Sequence, residues 1–248
     1  SASQVSFSEL ALYENCPYQY RLANSLGFQN TLVAELGYGN AVHHVLRLMA
    51  EHALTTGEPP SVDETQSMLE AGFYLPFANK PAHDNMLKAA TGLVRRYCED
   101  WSSDLDNVWA TERPFEIHTD DGILVGRADL ILTQDSGNPE SLAIVDYKTS
   151  TDDDRDPTFS FQLAVYAAAG RGEGLEVKAG FLHNLKAGIR EEKDVSSEAA
   201  EAALDKAKSL IQNIRQAKFP ARPEAQKCKH CDYRRLCSQA GCHPLELL

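Results

Sequence analysis

The sequence predicts an α/β fold: a helical N-terminal region, a small sheet flanked by helices, then a helix running into a C-terminal cysteine knot. Three observations predict it. Apolar residues recur at helical spacing through residues 1–105, residues 106–196 change to strand-length runs of Val, Ile and Leu, and three cysteines crowd together at 228, 231 and 237. These parts are expected to form one domain over 1–248, with residues 197–248 supplying the last helix and the cysteines.

Ser6 with Glu9 three residues on makes a capping-box pattern, so a short helix through Phe7, Leu10, Ala11 and Tyr13 should lead into Cys16-Pro17. From Glu35 to His52, Val42, Val45, Leu46 and Met49 recur at three and four, as an amphipathic helix requires. A second such helix runs from Asp84 to Trp101 through Met86, Leu87, Ala90, Leu93, Val94 and Tyr97. Segments 108–118, 123–133 and 142–149 read as strands, with turn chemistry at Asp135-Ser136-Gly137-Asn138-Pro139. A helix from Phe159 to Ala169, a strand pair over 177–185 and 189–195, and a helix from Ser197 to Lys218 ended by Phe219-Pro220 complete the order. The sheet is expected to be mostly antiparallel with one crossover helix. Asp152-Asp153-Asp154-Arg155-Asp156 reads as a solvated turn.

Composition narrows the function. The 248 residues are 43% hydrophobic and 24% charged, and no apolar run approaches the roughly 20 residues that span a bilayer. With no signal-peptide pattern at the start, a cytoplasmic protein is expected. The opening Ser1-Ala2-Ser3, without methionine, fits a domain excised from a longer polypeptide. Uneven use of six cysteines favours a metal site over a disulfide framework. The net charge of -12 disfavours indiscriminate DNA binding, which runs on phosphate neutralisation, unless basic residues gather locally or a larger protein delivers the strand.

Ile144-Val145-Asp146-Tyr147-Lys148 ends an apolar strand with a carboxylate and an ammonium at i and i+2, hence on one face. The acid can hold a divalent cation while the lysine orients water and stabilises charge growing on a phosphoryl group. Tyr147 points its side chain the other way, leaving its main-chain carbonyl within reach of the same cation. In Gly126-Arg127-Ala128-Asp129, a second carboxylate lies inside an apolar strand, where it is costly unless compensated. A metal would compensate it, as would pairing with Arg127 or Lys148. Gly39-x-x-x-His43 and its neighbour His44 sit on the first long helix, where only one imidazole can face a given site. Gln162 and Tyr166 share a face of the next helix at i and i+4. Glu112 is a further acidic candidate.

Cys228-x-x-Cys231 followed by Cys237 can wrap one soft centre, zinc or an iron–sulfur cluster. Cys16, Cys242, His230 and His243 compete for the fourth position, and Cys98 falls on a helical apolar stripe, as a core residue would.

Taken in order, Gly39-x-x-x-His43, Gly126-x-x-Asp129, Asp146-Tyr147-Lys148 and Gln162-x-x-x-Tyr166 resemble the motif series of RecB-like PD-(D/E)xK nucleases. The resemblance implies a restriction-endonuclease-like core. It implies that His43, Asp129 and Asp146 bind Mg2+ or Mn2+, that Lys148 is catalytic, and that Gln162 and Tyr166 lie beside the DNA. Phe7-Ser8-x-Leu10 and Tyr13-x-x-Cys16-Pro17-x-x-Tyr20 resemble the start of AddB-type and CRISPR-associated members and of nuclease domains fused to UvrD-like helicases. That likeness implies a [4Fe–4S] cluster on Cys16, Cys228, Cys231 and Cys237, with Cys242 unligated. The expected activity is metal-dependent hydrolysis of DNA, single-stranded or at ends, by an exonuclease with some endonuclease activity that works with a covalent or separate helicase. A catalytically silent nucleic-acid-binding module and a zinc-stabilised interaction domain are the alternatives.

Overall fold

A computed structural model of the chain describes residues 4–28, 32–135, 138–149 and 156–238. In chain order its elements begin with β1 (Gln4–Ser6), α1 (Phe7–Asn15), α2 (Pro17–Tyr20), α3 (Tyr38–Thr56), α4 (Val62–Gly72), α5 (Lys80–Trp101) and α6 (Ser103–Asp106). Then come β2 (Val108–Thr119), β3 (Gly122–Asp135), β4 (Asn138–Lys148), α7 (Asp156–Gly172), β5 (Glu176–Asn184), β6 (Ile189–Lys193), α8 (Ser197–Arg215) and α9 (Ala225–Lys229). Contacts divide the chain into two units, one of Ser1–Leu32, Glu116–Val125 and Asp205–Leu248, the other of Val33–Phe115 and Gly126–Leu204. Among the described residues no helix is long and apolar enough to cross a membrane.

In the first unit β1 pairs in parallel with the opening of β3, Gln4 opposite Ile123 and Ser6 opposite Val125. Ser6 then caps α1 as its spacing predicts: its hydroxyl accepts from the Glu9 N–H at 3.2 Å, and the Glu9 carboxylate accepts from the Ser6 N–H at 2.7 Å. Pro17 opens α2, where its missing N–H costs nothing. Tyr13 and Tyr20 meet edge to face at 5.6 Å, and Phe219 stacks on Tyr20 at 6.0 Å. The Tyr13 hydroxyl donates to the Lys218 carbonyl. Those contacts fix residues 13–20 against the segment that follows α8, within one unit.

In the second unit β2 pairs with β3, and the order continues β3-β4-β5-β6. β3 and β4 are antiparallel with Leu130 opposite Val145, β5 and β6 are antiparallel, and α7 carries the chain over so that β5 lies parallel to β4. The sheet is therefore mixed, as expected: the crossover gives the parallel β4–β5 pair, and the three-residue β1, which was not expected, adds a parallel pair with β3. On one face Val42, Val45 and Met49 of α3, Leu69 of α4, and Ala90, Val94 and Tyr97 of α5 form a continuous core with Leu130, Leu132, Val145 and Tyr147. Full burial of each large aliphatic is worth roughly 1.5–3 kcal/mol. α7 packs on β4 and β5 at the other face. The sequence reading omitted α4, although Ser61 and Glu64 form a complete capping box at its start. α7 begins at Asp156 rather than Phe159, and α8 stops at Arg215 rather than Lys218. Ser136 and Gly137 of the expected turn, and Asp152 to Arg155 of the acidic loop, lie outside the described residues.

A polar network crosses this core. The Tyr147 hydroxyl donates to that of Tyr97 at 2.9 Å, and Tyr97 donates to Asp104 at 3.0 Å. Arg190 makes a two-pronged pair with Asp104, stacks on Trp101 at 4.0 Å and approaches His183 Nδ1 at 2.9 Å. His183 is 1% exposed, and its rings of contact are Tyr97, Trp101 and Tyr147. Burial, then the Arg190 charge, push its pKa from 6.5 down to about 4, against the opposing pull of Asp104. The unfolded chain therefore binds a proton that the folded chain refuses. The resulting loss of stability is absent above about pH 6.5, grows as pH falls and is complete near pH 4, reaching on the order of 3 kcal/mol. Urea unfolding at pH 7.5 and 4.5 should show this loss in wild type and a smaller one in His183→Gln.

Candidate functional site

Two glycines let the site close. A Cβ on Gly39 would lie 3.1 Å from Thr149 Oγ1, so glycine allows the start of α3 to approach the chain just after β4. A Cβ on Gly126 would lie 2.3 Å from the Phe115 ring, so only glycine fits where β3 passes that side chain.

At the end of β4, Asp146 and Lys148 share a face as their i and i+2 spacing predicts, and Lys148 Nζ stands 2.6 Å from Asp146 Oδ2. Lys148 Nζ also donates to Gln162 Oε1 at 3.1 Å, and Gln162 Nε2 donates to the Tyr166 hydroxyl at 2.7 Å. The ammonium sits 4.6 Å from the centre of the Phe159 ring. On the neighbouring strand Asp129 Oδ2 accepts the Tyr147 N–H at 2.9 Å and lies 3.5 Å from His43 Nδ1. The structure thus turns His43, not His44, toward the carboxylates. His44 lies instead beside Gly72, with Arg47 2.8 Å from its Nδ1. Tyr147 sends its ring to the opposite face, into the core. Glu112 is engaged by Arg127 at 3.2 Å, so the alternative Arg127 partner for Asp129 is not used.

The electrostatics of these groups differ. For His43, burial lowers the pKa, but the charge and hydrogen bond of Asp129 outweigh it and the net direction is up. For Asp129, burial pushes up, while His43 and the Tyr147 N–H pull the carboxyl below its ordinary value. For Asp146, burial dominates and the carboxyl is held well above its ordinary value despite the Lys148 ammonium. Its Oδ2 is buried and faces the Lys148 ammonium as its charged neighbour. Asp146 lies beside a second carboxylate and an imidazole, the kinds of oxygen and nitrogen donor that divalent cations take. Among the described residues no group of three or more His, Cys, Asp or Glu side chains is placed so that it could hold a metal ion.

A second cluster lies in the first unit. Cys16, Cys228, Cys231 and Cys237 line one pocket together with Gln19, Leu22 and Tyr233. Burial raises the Cys231 thiol, the Tyr233 N–H lowers it, and the nearness of Cys16, Cys228 and Cys237 raises it further. Thiolates so crowded repel one another, which a soft cationic centre would relieve. Cys98 packs at the margin of the second unit's core, where burial pushes its thiol up. Cys242 and His243 lie outside the described residues.

A family model described as the PD-(D/E)XK nuclease superfamily matches residues 4–238. The chain belongs to that superfamily. In this PD-(D/E)XK chain Asp146-Tyr147-Lys148 reads as an acid-x-lysine triplet, and Ala128 precedes Asp129. Superfamily members generally use Mg2+ or Mn2+. A solved structure from Eubacterium rectale, described as a candidate exonuclease, superposes with a TM-score of 0.54 at 16% identity, covering 96% of this chain and 89% of that one. That likeness shows the fold. A second solved protein, SSO0001, is 17% identical over 93% of this chain and 95% of its own, and its TM-score of 0.40 adds nothing to the comparison. No curated protein matches the chain. Phe159 and Arg127 border the site of this PD-(D/E)XK chain without having been expected there. Phe159 stands three residues before Gln162, a helical spacing that could have revealed it, and Arg127 lies inside the Gly126-x-x-Asp129 segment itself.

Proposed function

We propose that the chain is a divalent-metal-dependent deoxyribonuclease of the RecB-like type, acting as a single nuclease module on single-stranded DNA or DNA ends. The observation that carries this reading is the convergence of Asp129, Asp146 and His43 beside a lysine that Gln162 holds at 3.1 Å. Asp129, Asp146, His43 and the Tyr147 main-chain carbonyl would hold Mg2+ or Mn2+, which supplies Lewis-acid polarisation of the scissile phosphate. Lys148 orients the attacking water and stabilises the negative charge that grows on the phosphoryl oxygens. Gln162 fixes that ammonium, and with Tyr166 it borders the path of the strand. Exonucleolytic cutting with some endonuclease activity is the expected mode.

In the first unit Cys16, Cys228, Cys231 and Cys237 would hold a [4Fe–4S] cluster with a structural role. Two features support a module of a cytoplasmic helicase–nuclease: the thiol-rich first unit, suited to a reducing compartment, and the -12 charge, which leaves delivery of the strand to a partner.

The test is cleavage of end-labelled single-stranded DNA by anaerobically purified protein with Mn2+, Mg2+ or EDTA, its visible spectrum recorded. Metal-dependent shortening by a brown protein is the expected result. No cutting with either metal would sink the nuclease reading, and a colourless, zinc-containing protein would sink the cluster.

A further inference from the structure

Glu112 is a non-glycine residue in the left-handed region, with φ of 49° in the middle of β2. Such a conformation is strained for a residue with a Cβ and persists only where the surroundings over-determine it. Here the surroundings are the strand that carries Asp129. The hydroxyl of Thr111, one residue earlier, donates to the Asp129 carbonyl at 2.9 Å, and the Glu112 carboxylate meets Arg127 at 3.2 Å. The bend in β2 therefore delivers a carboxylate to one cation.

That cation is well placed for substrate. Arg127 lies two residues before Asp129, and its main-chain N–H donates to the Tyr166 hydroxyl, which accepts in turn from Gln162. Its side chain is 62% exposed and engages Glu112 through a single nitrogen, leaving most of the guanidinium fork available. An exposed pair of this kind is worth little, so a better anion displaces it readily. A phosphodiester accepts from an arginine fork in two parallel hydrogen bonds, which a lysine cannot match.

We propose that Arg127 is a substrate-positioning residue that takes a backbone phosphate of the bound strand, and that Glu112 is its resident counter-ion, released when the phosphate arrives. This rests on the nuclease reading of the neighbouring site. Glu112 thereby takes a role other than metal ligand.

The experiment measures equilibrium binding of a fluorescein-labelled single-stranded oligonucleotide across a series of NaCl concentrations, using the full chain carrying Asp146→Ala so that nothing is cut. Arg127→Ala should weaken binding roughly 10-fold and lower the slope of log Kd against log salt by about one. Arg127→Lys should fall between, and keeps the test valid if the alanine variant melts early. Glu112→Gln should tighten binding several-fold at low salt. Unchanged affinity and slope in both arginine variants would overturn the proposal. So would weaker binding in Glu112→Gln, or, in the otherwise wild-type chain, a loss of cleavage by Glu112→Gln that excess Mn2+ restores, since that makes Glu112 a metal ligand. Failure of the nuclease reading shows elsewhere, as absence of cleavage by the wild-type chain, and leaves the binding measurements readable.

Discussion

Asp146→Asn is expected to lower metal-dependent cleavage roughly 1000-fold, equivalent to about 4 kcal/mol of transition-state stabilisation, while leaving the chain folded. Asparagine has the shape of aspartate, and its Oδ1 can still accept from the Lys148 ammonium now 2.6 Å from the carboxylate. What it lacks is the charge. Burial holds the Asp146 carboxyl above its ordinary value, so the negative form is maintained at a cost to the protein unless a cation shares the site. Thermal melting in EDTA should therefore move by no more than about 4 °C, or about 1 kcal/mol for a chain of this size. The melting point of wild type should rise on adding Mn2+ and that of the variant should not, because only a ligand that binds the folded state stabilises it. Cleavage that survives in Asp146→Asn would remove Asp146 from the metal site, and with it the proposed division of labour with Lys148.

Cys16→Ser should have the largest effect on stability. A centre bound by Cys16 and by Cys228, Cys231 and Cys237 closes a loop of some two hundred residues, and a single cross-link over such a span contributes on the order of 5 kcal/mol through the unfolded state. Loss of the proposed cluster should bleach the protein and lower its melting temperature by roughly 10–20 °C. Cys98→Ser is the matched control. It lies at the edge of the other unit's core and should retain full colour with a shift of a few degrees at most. Retained iron in Cys16→Ser, combined with its loss in Cys242→Ser, would transfer the fourth ligand to Cys242.

The parts legible in the sequence are those written in short-range chemistry. The 3-and-4 spacing of Val42, Val45, Leu46 and Met49 located α3, and all four are buried. Helix geometry allowed only one of His43 and His44 to face the site, and the family resemblance, through Gly39-x-x-x-His43, implied the one that stands 3.5 Å from Asp129. The i and i+2 placement of Asp146 and Lys148 put both side chains on one face of β4, where they stand 2.6 Å apart. α4 escaped because its interior residues are largely exposed, so its apolar period is weak and only the Ser61–Glu64 cap marked it. β1 escaped because three residues carry no period. The network of Tyr97, Asp104, Tyr147, His183 and Arg190 was out of reach for a different reason. Its members come from five separate elements, and no local pattern records that they meet. The left-handed turn of Glu112 is likewise invisible to spacing, since glutamate is not a residue that advertises positive φ.

The first unit is assembled from three stretches, ending with Asp205–Leu248, whereas the second is complete once Leu204 has been made. During synthesis the second unit, with its carboxylates, lysine and imidazole, can therefore fold while Cys16 still awaits partners that have not emerged. Binding of the proposed cluster would then be a late event, set by translation of residues beyond 228 rather than by folding of the other half. A ribosome stalled before that point would leave a nascent chain with its hydrolytic groups in place and its N-terminal cysteine open to the cell's thiol chemistry.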